Sequence, residues 1–273
     1  MTRHGSGRAE RRDTSMAEVV NQAGLGKNIA VIPARGGSKR ISRKNVKPFC
    51  GKPILAYSIA AARASRLFEK IVVSTDDEEI AAIARQWGAI TPFLRPAALA
   101  DDYVGTNAVA AHAAQWFLDR NIAVDHVCCL YATAPFVQPR FLVQGLETLL
   151  RRRCRFVFSA TTFPAPLRRA IRLDSDGWVA PYFPESMAAR SQDLEEAYHD
   201  AGQFYWGSPE AFSQAALFGP GSAIVALPRH LVQDIDTPED WLRAECMYKT
   251  LRTMGDLEIC PFDPVEPSYS SAV

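Results

Sequence analysis

The chain has 273 residues, 48% of them hydrophobic, and a formal net charge of +1 at pH 7. That length and apolar share suit one large domain, or one with an appended lobe. The near-neutral balance excludes general nucleic-acid or membrane-surface binding, and no apolar run approaches the roughly 20 residues of a membrane span. The 6 cysteines (50, 128, 129, 154, 246 and 260) form no C-x-x-C pair and lie mostly in apolar runs. They read as reduced thiols of a cytoplasmic protein, and the N-terminus lacks the apolar core of a signal peptide.

Residues 1–27 read as a disordered leader, with Met16 a candidate natural start. The run Ile29-Ala30-Val31-Ile32, within Asn28–Ala34, reads as a buried strand. It leads directly into Ala34-Arg35-Gly36-Gly37-Ser38-Lys39-Arg40-Ile41-Ser42-Arg43-Lys44-Asn45, which holds two glycines, two serines and five cations. Glycines let backbone N–H groups approach an anion and cations neutralise it, as a nucleoside triphosphate requires. Neither G-x-x-x-x-G-K-[ST] nor a G-x-G-x-x-G after a strand occurs, so the loop is neither a P-loop nor a dinucleotide fingerprint. A solvated basic loop without a ligand remains the alternative.

Strand and helix patterns then alternate. Pro53–Ser65 reads as a helix with Pro53 in its first turn, and Lys70–Ser74 as a strand. Asp77–Trp87 reads as a helix capped by Asp76, with Ile80, Ile83, Ala84 and Trp87 on one face. A short strand near Ile90–Leu94 precedes a polar loop running from Arg95 to Asn107. Its groups suit a base and ribose, although Thr106 or Asn107 equally suits a plain cap for helix Asn107–Arg120. Strand His126–Tyr131, helix Pro139–Arg152 and strand Phe156–Thr161 follow. This order implies an α/β fold with a mostly parallel sheet and helices on both faces. Such sheets bind ligands beyond the carboxyl ends of their strands, where the basic loop and Tyr131-Ala132-Thr133-Ala134-Pro135 lie.

The alternation breaks between about Thr162 and Ala201. Asp174-Ser175-Asp176-Gly177 reads as the turn of a hairpin between Ala170–Leu173 and Trp178–Ala180, within a segment projecting from the sheet. Arg190 or His199 there suits a substrate carboxylate, against the plainer alternative of a satisfied structural residue. Strand Gln203–Trp206, a helix from Ser208 and strand Ser222–Leu227 return to the main body. Thr237-Pro238-Glu239-Asp240 is a capping box opening the last helix, which carries Trp241, Tyr248 and Leu251. Just before it, alternation puts Asp234 and Asp236 on one side of an extended chain and Ile235 on the other. Two such carboxylates suit a hard divalent cation such as Mg²⁺; a helix cap and a solvated acid are the alternative. Residues 255–273 read as a flexible tail.

Together these motifs resemble the cytidylyltransferases that activate nine-carbon keto-sugar acids, the CMP-sialic acid synthetases and their relatives. The likeness rests on Ala34-Arg35-Gly36-Gly37-Ser38-Lys39 with Lys44-Asn45, on Arg95-Pro96 with Leu99 and Asp102, and on Asp234-Ile235-Asp236-Thr237. Tyr131–Phe136 and Tyr198–Trp206 are most similar to the pseudaminic acid branch. The resemblance implies a three-layer, Rossmann-like, GT-A-like nucleotidyltransferase domain over 28–254. It also implies a small lobe, about 162–201, that reaches across a homodimer partner. Carried over, the loop Ala34, Arg35, Gly36, Gly37, Ser38, Lys39 and Lys44 binds the triphosphate of CTP, with Asn45, Arg95 and Thr106 around the cytosine. Asp234 and Asp236 hold Mg²⁺, and Arg35, Lys44 and Asp236 are the expected catalytic groups. Tyr131, Thr133, Arg190, Gln192, His199, Gln203 and Tyr205 are the expected contacts of the sugar acid. Tyr131 replaces the Gln typical of sialic acid synthetases, and His199-Asp200 stands where they carry an Arg. Both changes touch the sugar pocket and leave the nucleotide loop intact. The rival readings are the same transfer to N-acetylneuraminate, legionaminate or 3-deoxy-octulosonate, a glycosyltransferase using an Asp-x-Asp pair, and a non-catalytic nucleotide-binding protein.

Overall fold

A computed structural model describes residues 26–100, 105–214 and 216–258. Most of the expected leader, including Met16, the loop acids Asp101 and Asp102, and residues 259–273 lie outside them.

The chain runs β1 (Asn28–Pro33), a short hairpin β2 (Pro48–Phe49) and β3 (Lys52–Pro53), α1 (Leu55–Ser65), β4 (Lys70–Ser74) and α2 (Glu78–Gln86). It continues with α3 (Thr106–Leu118), β5 (His126–Leu130), α4 (Pro139–Arg152) and β6 (Phe156–Thr162). The hairpin β7 (Ile171–Leu173) and β8 (Val179–Pro181) precedes β9 (Tyr198–Gly207), α5 (Pro209–Gln214), β10 (Ser222–Ala226) and α6 (Pro238–Met254). Six strands form the central sheet in the order β10-β6-β9-β5-β1-β4. All pairings are parallel except those of β9, which runs antiparallel between β5 and β6.

The period of two along β1 splits the core into layers. Ala30 and Ile32 pack with Leu55 and Ile59 of α1, Ile80 of α2, and Leu142, Leu146 and Leu149 of α4. Ile29 and Val31 pack with Ala110, Ala113 and Phe117 of α3 and Phe212 of α5. The three-layer α/β expectation therefore holds. A third cluster gathers under α6, where Phe49 meets Tyr57, Trp241 and Tyr248 edge-on at 5.4–5.6 Å between ring centroids. Ile235 is fully buried in that cluster.

Several boundaries differ from expectation, each for a local reason. Pro53 is not in a helix: Cys50 and Gly51, at φ of 45° and 89°, make a two-residue turn that pairs Phe49 with Lys52. Helix α1 starts only at Leu55. The cap of α2 is Asp77, whose carboxylate accepts from the Ile80 N–H, because Asp76 is engaged elsewhere. Ile90 and Leu94 make isolated parallel bridges to Val72 and Thr75 instead of a strand. Gly105, not Thr106 or Asn107, occupies the N-cap of α3. Strand β9 begins at Tyr198, five residues before the expected Gln203, so His199 and Asp200 belong to the sheet. The predicted capping box of α6 is present, with Thr237 and Asp240 exchanging hydrogen bonds. The start of the expected tail is docked: Glu258 N–H donates to Gln138 Oε1 at 2.7 Å, and its carboxylate meets Arg140.

Candidate active site

A cleft of about 300 Å³ opens beyond the carboxyl ends of β1 and β5. Its cationic end is lined by Arg35, Lys39, Arg40 and Lys44, with Ser38 and Asn45 beside them. Its neutral end is lined by Thr106, Val109, Tyr131 and Thr133, and Arg95 also lines the cleft.

Sequence-distant acids hold the basic loop in shape. Gly36 N–H donates to Asp76 Oδ1 at 2.9 Å. Arg43 adopts a left-handed backbone and turns away from the cleft, donating to both oxygens of Asp77 at 2.5 and 3.1 Å and to Glu79 at 2.6 Å. That pairing holds the Asp77 carboxyl below the usual carboxylate range. Buried Asn45 donates to the Arg35 carbonyl at 2.9 Å, closing the loop from inside. Ala34 is fully buried and extends the β1 ladder through its N–H to Ser74 O. Gly36 is needed for its size, since a Cβ there would lie 2.9 Å from an Asp77 oxygen.

The acid pair lies at the cationic rim. With Ile235 locked in the aromatic cluster, Lys44 Nζ donates to the Ile235 carbonyl at 2.7 Å and reaches Asp236 Oδ1 at 3.4 Å. Arg40 meets the same Asp236 oxygen at 2.8 Å. Asp234 keeps an open face, yet the protein crowding its carboxyl, and then the charge of Asp236, raise its pKa above the usual carboxylate value. Asp234 and Asp236 are the two carboxylates that could share a divalent ion, and Arg40 and Lys44 already partly compensate Asp236. Among the described residues no group of three or more His, Cys, Asp or Glu side chains could hold a metal. A two-carboxylate site suits Mg²⁺, which completes its shell with water and substrate phosphate.

Arg95 is 6% exposed and donates from Nε to Ser74 Oγ at 3.2 Å and from Nη2 to the Ser74 carbonyl. Burial lowers its pKa, and Asp76 works against that shift. The cleft thus brings together Arg35, Ser38, Lys39, Lys44, Asn45, Arg95, Thr106, Tyr131 and Thr133 of the expected site residues. Gly37 has open space around its Cα. Other expected contacts lie elsewhere in this chain. Arg190 pairs with Asp193 at 2.8 Å on the projecting segment, and Gln192 lines a separate shallow cleft with Phe163 and Pro166. His199 rests edge-on against Phe163. Gln203 is 3% exposed and donates to the Leu231 carbonyl, while Tyr205 lies buried behind Tyr131. Arg40 was not among the carried-over contacts, although its charge matches its neighbours'. Its pairing with Asp236 spans 196 positions of sequence, so no local pattern marks it.

Residues 29–217 match a family model described as cytidylyltransferase. The chain is 46% identical to the pseudaminic acid cytidylyltransferase of Campylobacter jejuni subsp. jejuni serotype O:23/36, over 82% of this chain and 97% of that one. It is 32% identical to the CMP-N,N'-diacetyllegionaminic acid synthase of Legionella pneumophila, over 80% of this chain and 94% of that one. A solved structure of CMP:2-keto-3-deoxy-manno-octonic acid synthetase complexed with CTP superposes with a TM-score of 0.59 at 15% identity, covering 82% of this chain and 99% of that one.

Proposed function

Because the chain belongs to the cytidylyltransferase family, we propose that it transfers CMP from CTP to the anomeric hydroxyl of a pseudaminic-type nonulosonic acid. The observation that carries this reading is the single cleft joining four basic side chains to a neutral, hydroxyl-lined end. Arg35, Lys39 and Lys44 bind and orient the triphosphate, with Ser38 and the glycine backbone close to its oxygens. The sugar hydroxyl attacks the α-phosphorus in line and pyrophosphate leaves; positioning and charge stabilisation supply most of the rate. Asp234 and Asp236 are the proposed holders of Mg²⁺, which would neutralise phosphate charge there. Lys44, tied to Ile235 and Asp236, couples that pair to the loop.

The pseudaminic assignment is supported by the 46% identity to an enzyme of that name and by Tyr131 at the neutral end of the cleft. A homodimer is proposed on the exposed apolar hairpin β7–β8, which would carry Arg190 and Gln192 toward a partner's cleft. The reduced thiols and the absence, among the described residues, of a helix able to cross a membrane accord with work in the cytoplasm. The test is pyrophosphate release from CTP and Mg²⁺ with pseudaminic acid and N-acetylneuraminic acid in parallel. Release with pseudaminic acid alone is expected. Comparable release with N-acetylneuraminate overturns the sugar assignment, and release with neither acid, nor with legionaminate or 3-deoxy-octulosonate, overturns the transferase reading.

A further inference from the structure

Of the five cations in the basic loop, Arg35, Lys39, Arg40 and Lys44 line the cleft, whereas Arg43 points to the carboxylates of α2. Arg43 is nevertheless the residue on which the loop turns. Its backbone sits at φ 54° and ψ 33°, in the left-handed region that an arginine enters at a cost and a glycine freely. From there its carbonyl accepts from the N–H groups of Val46 and Lys47, both at 3.0 Å, which winds Lys44–Val46 into a 3-10 turn. Lys44 and Asn45 leave that turn toward the cleft. Lys44 Nζ donates to the Ile235 carbonyl at 2.7 Å, and Asn45 Nδ2 to the Arg35 carbonyl at 2.9 Å.

Both ends of the segment from Gly36 to Arg43 meet at two adjacent carboxylates. Asp76 Oδ1 accepts from the Gly36 N–H at 2.9 Å. Asp77 Oδ1 caps α2 by accepting from the Ile80 N–H at 3.0 Å and also takes Arg43 Nη2 at 3.1 Å. Its Oδ2 takes Arg43 Nη1 at 2.5 Å and lies 2.9 Å from where a Cβ on Gly36 would stand. A two-pronged guanidinium–carboxylate pair of this kind fixes orientation as well as charge. We propose that Asp77 and Arg43 are positioning residues, a clasp that sets Lys44 and Asn45 in the cleft, so that affinity for CTP depends on two side chains outside it. This rests on the cytidylyltransferase reading, under which Lys44 meets the triphosphate. Arg43 as a fifth phosphate contact would instead have to give up three hydrogen bonds to Asp77 and Glu79.

Two variants cut the clasp and spare the backbone around it. Asp77→Asn keeps an oxygen for the Ile80 cap and turns an amide N–H toward Arg43, donor against donor. Arg43→Gly keeps the left-handed turn and removes the guanidinium. Hydrogen exchange at the Val46 and Lys47 amides, without nucleotide, reports on the loop. Calorimetric Kd for CTP, and KM for CTP and for pseudaminic acid, report on its use. Each variant should speed exchange and raise Kd and KM for CTP about tenfold, the size of one hydrogen bond, with KM for the acid unchanged. The double variant should be no worse than the worse single one, because both cut one clasp. In a Lys44→Gln chain, Asp77→Asn should add less than about twofold, because the clasp acts through that lysine. A lower unfolding temperature with CTP Kd and KM unchanged would make the pair a structural staple and overturn the proposal. So would equal rises in both KM values, or additive losses of Arg43→Gly and Asp77→Asn, which would mean that Arg43 meets phosphate directly. Faster exchange in both variants of a protein whose wild type binds no CTP would sink the proposed function and leave the clasp's hold on Lys44 and Asn45 standing.

Discussion

At the scale of single residues, Asp234 and Asp236 sit in different electrostatic settings despite their two-residue spacing. Asp236 Oδ1 takes both Arg40 and Lys44, so the charge of this proposed metal ligand also aligns two cations. Asp236→Asn should lower kcat about 100-fold or more, a loss typical of removing one preorganised charge-stabilising group, with little change in unfolding temperature. Near-normal turnover at saturating Mg²⁺ would take Asp236 out of the metal site. Asp234 is the strained partner, its pKa raised by crowding and by Asp236. A raised folded-state pKa contributes stability below the unfolded value, and that contribution is lost as pH rises through the folded one. The ionised form therefore costs stability at neutral pH. With chelator at pH 7, Asp234→Asn should raise the unfolding temperature by about 2 °C, a fraction of 1 kcal/mol after solvent screening. The gain should vanish below about pH 4, where wild-type Asp234 is itself neutral. A lower unfolding temperature at pH 7 would mean that attraction to Lys44 outweighs both raising effects.

At the scale of elements, close packing of α4 on the sheet rests on one missing side chain. A Cβ at Gly145 would lie 2.7 Å from Trp206 Cδ1 and 3.1 Å from a Phe204 ring carbon. Both rings are fully buried, and Trp206 is pinned by its indole N–H to the Leu142 carbonyl at 3.1 Å. Gly145→Ala should therefore lose about 1–3 kcal/mol in denaturant unfolding, despite alanine's better helix propensity. A stabilised variant would show that α4 can shift away freely. The same elements explain what could be read in advance. Strands buried on both faces are continuous apolar runs, and β1, β4, β5 and β6 were recognisable as such. The start of β9 was not, because its bulge destroys the alternation and Tyr198-His199-Asp200 carries polar groups that resemble a loop. The β2–β3 hairpin was hidden because Gly51-Lys52-Pro53 also reads as a helix start. Only the pairing of Phe49 with Lys52 and the burial of Phe49 among aromatics decide otherwise.

At the scale of the whole molecule, the cationic end of the cleft was legible because charge and glycine are concentrated in one loop after one strand. The Asp234–Asp236 pair was legible from spacing alone. What joins them was not: Arg40 to Asp236, Gly36 to Asp76 and Arg43 to Asp77 are contacts across the fold with no local signature. Fewer of the expected sugar contacts gather in one chain's cleft than the resemblance implies, since Arg190 and Gln192 lie out on the projecting segment. That segment ends in the β7–β8 hairpin, where Leu173, Trp178 and Val179 are 68%, 73% and 63% exposed. Leu173 and Val179 pair across the hairpin, and exposed apolar side chains on a projecting segment suit an interaction site. If a second copy covers it, Leu173→Glu with Trp178→Glu should convert a dimer to a monomer in sedimentation, while leaving the unfolding temperature of each protomer's core unaltered. CTP binding should persist, because the cationic end belongs to one chain. Turnover of the sugar acid should fall, because Arg190 and Gln192 would no longer reach a neighbour's cleft. Wild type that sediments as a monomer at micromolar concentration, or a monomeric variant with full turnover, would show that each chain's cleft is sufficient by itself.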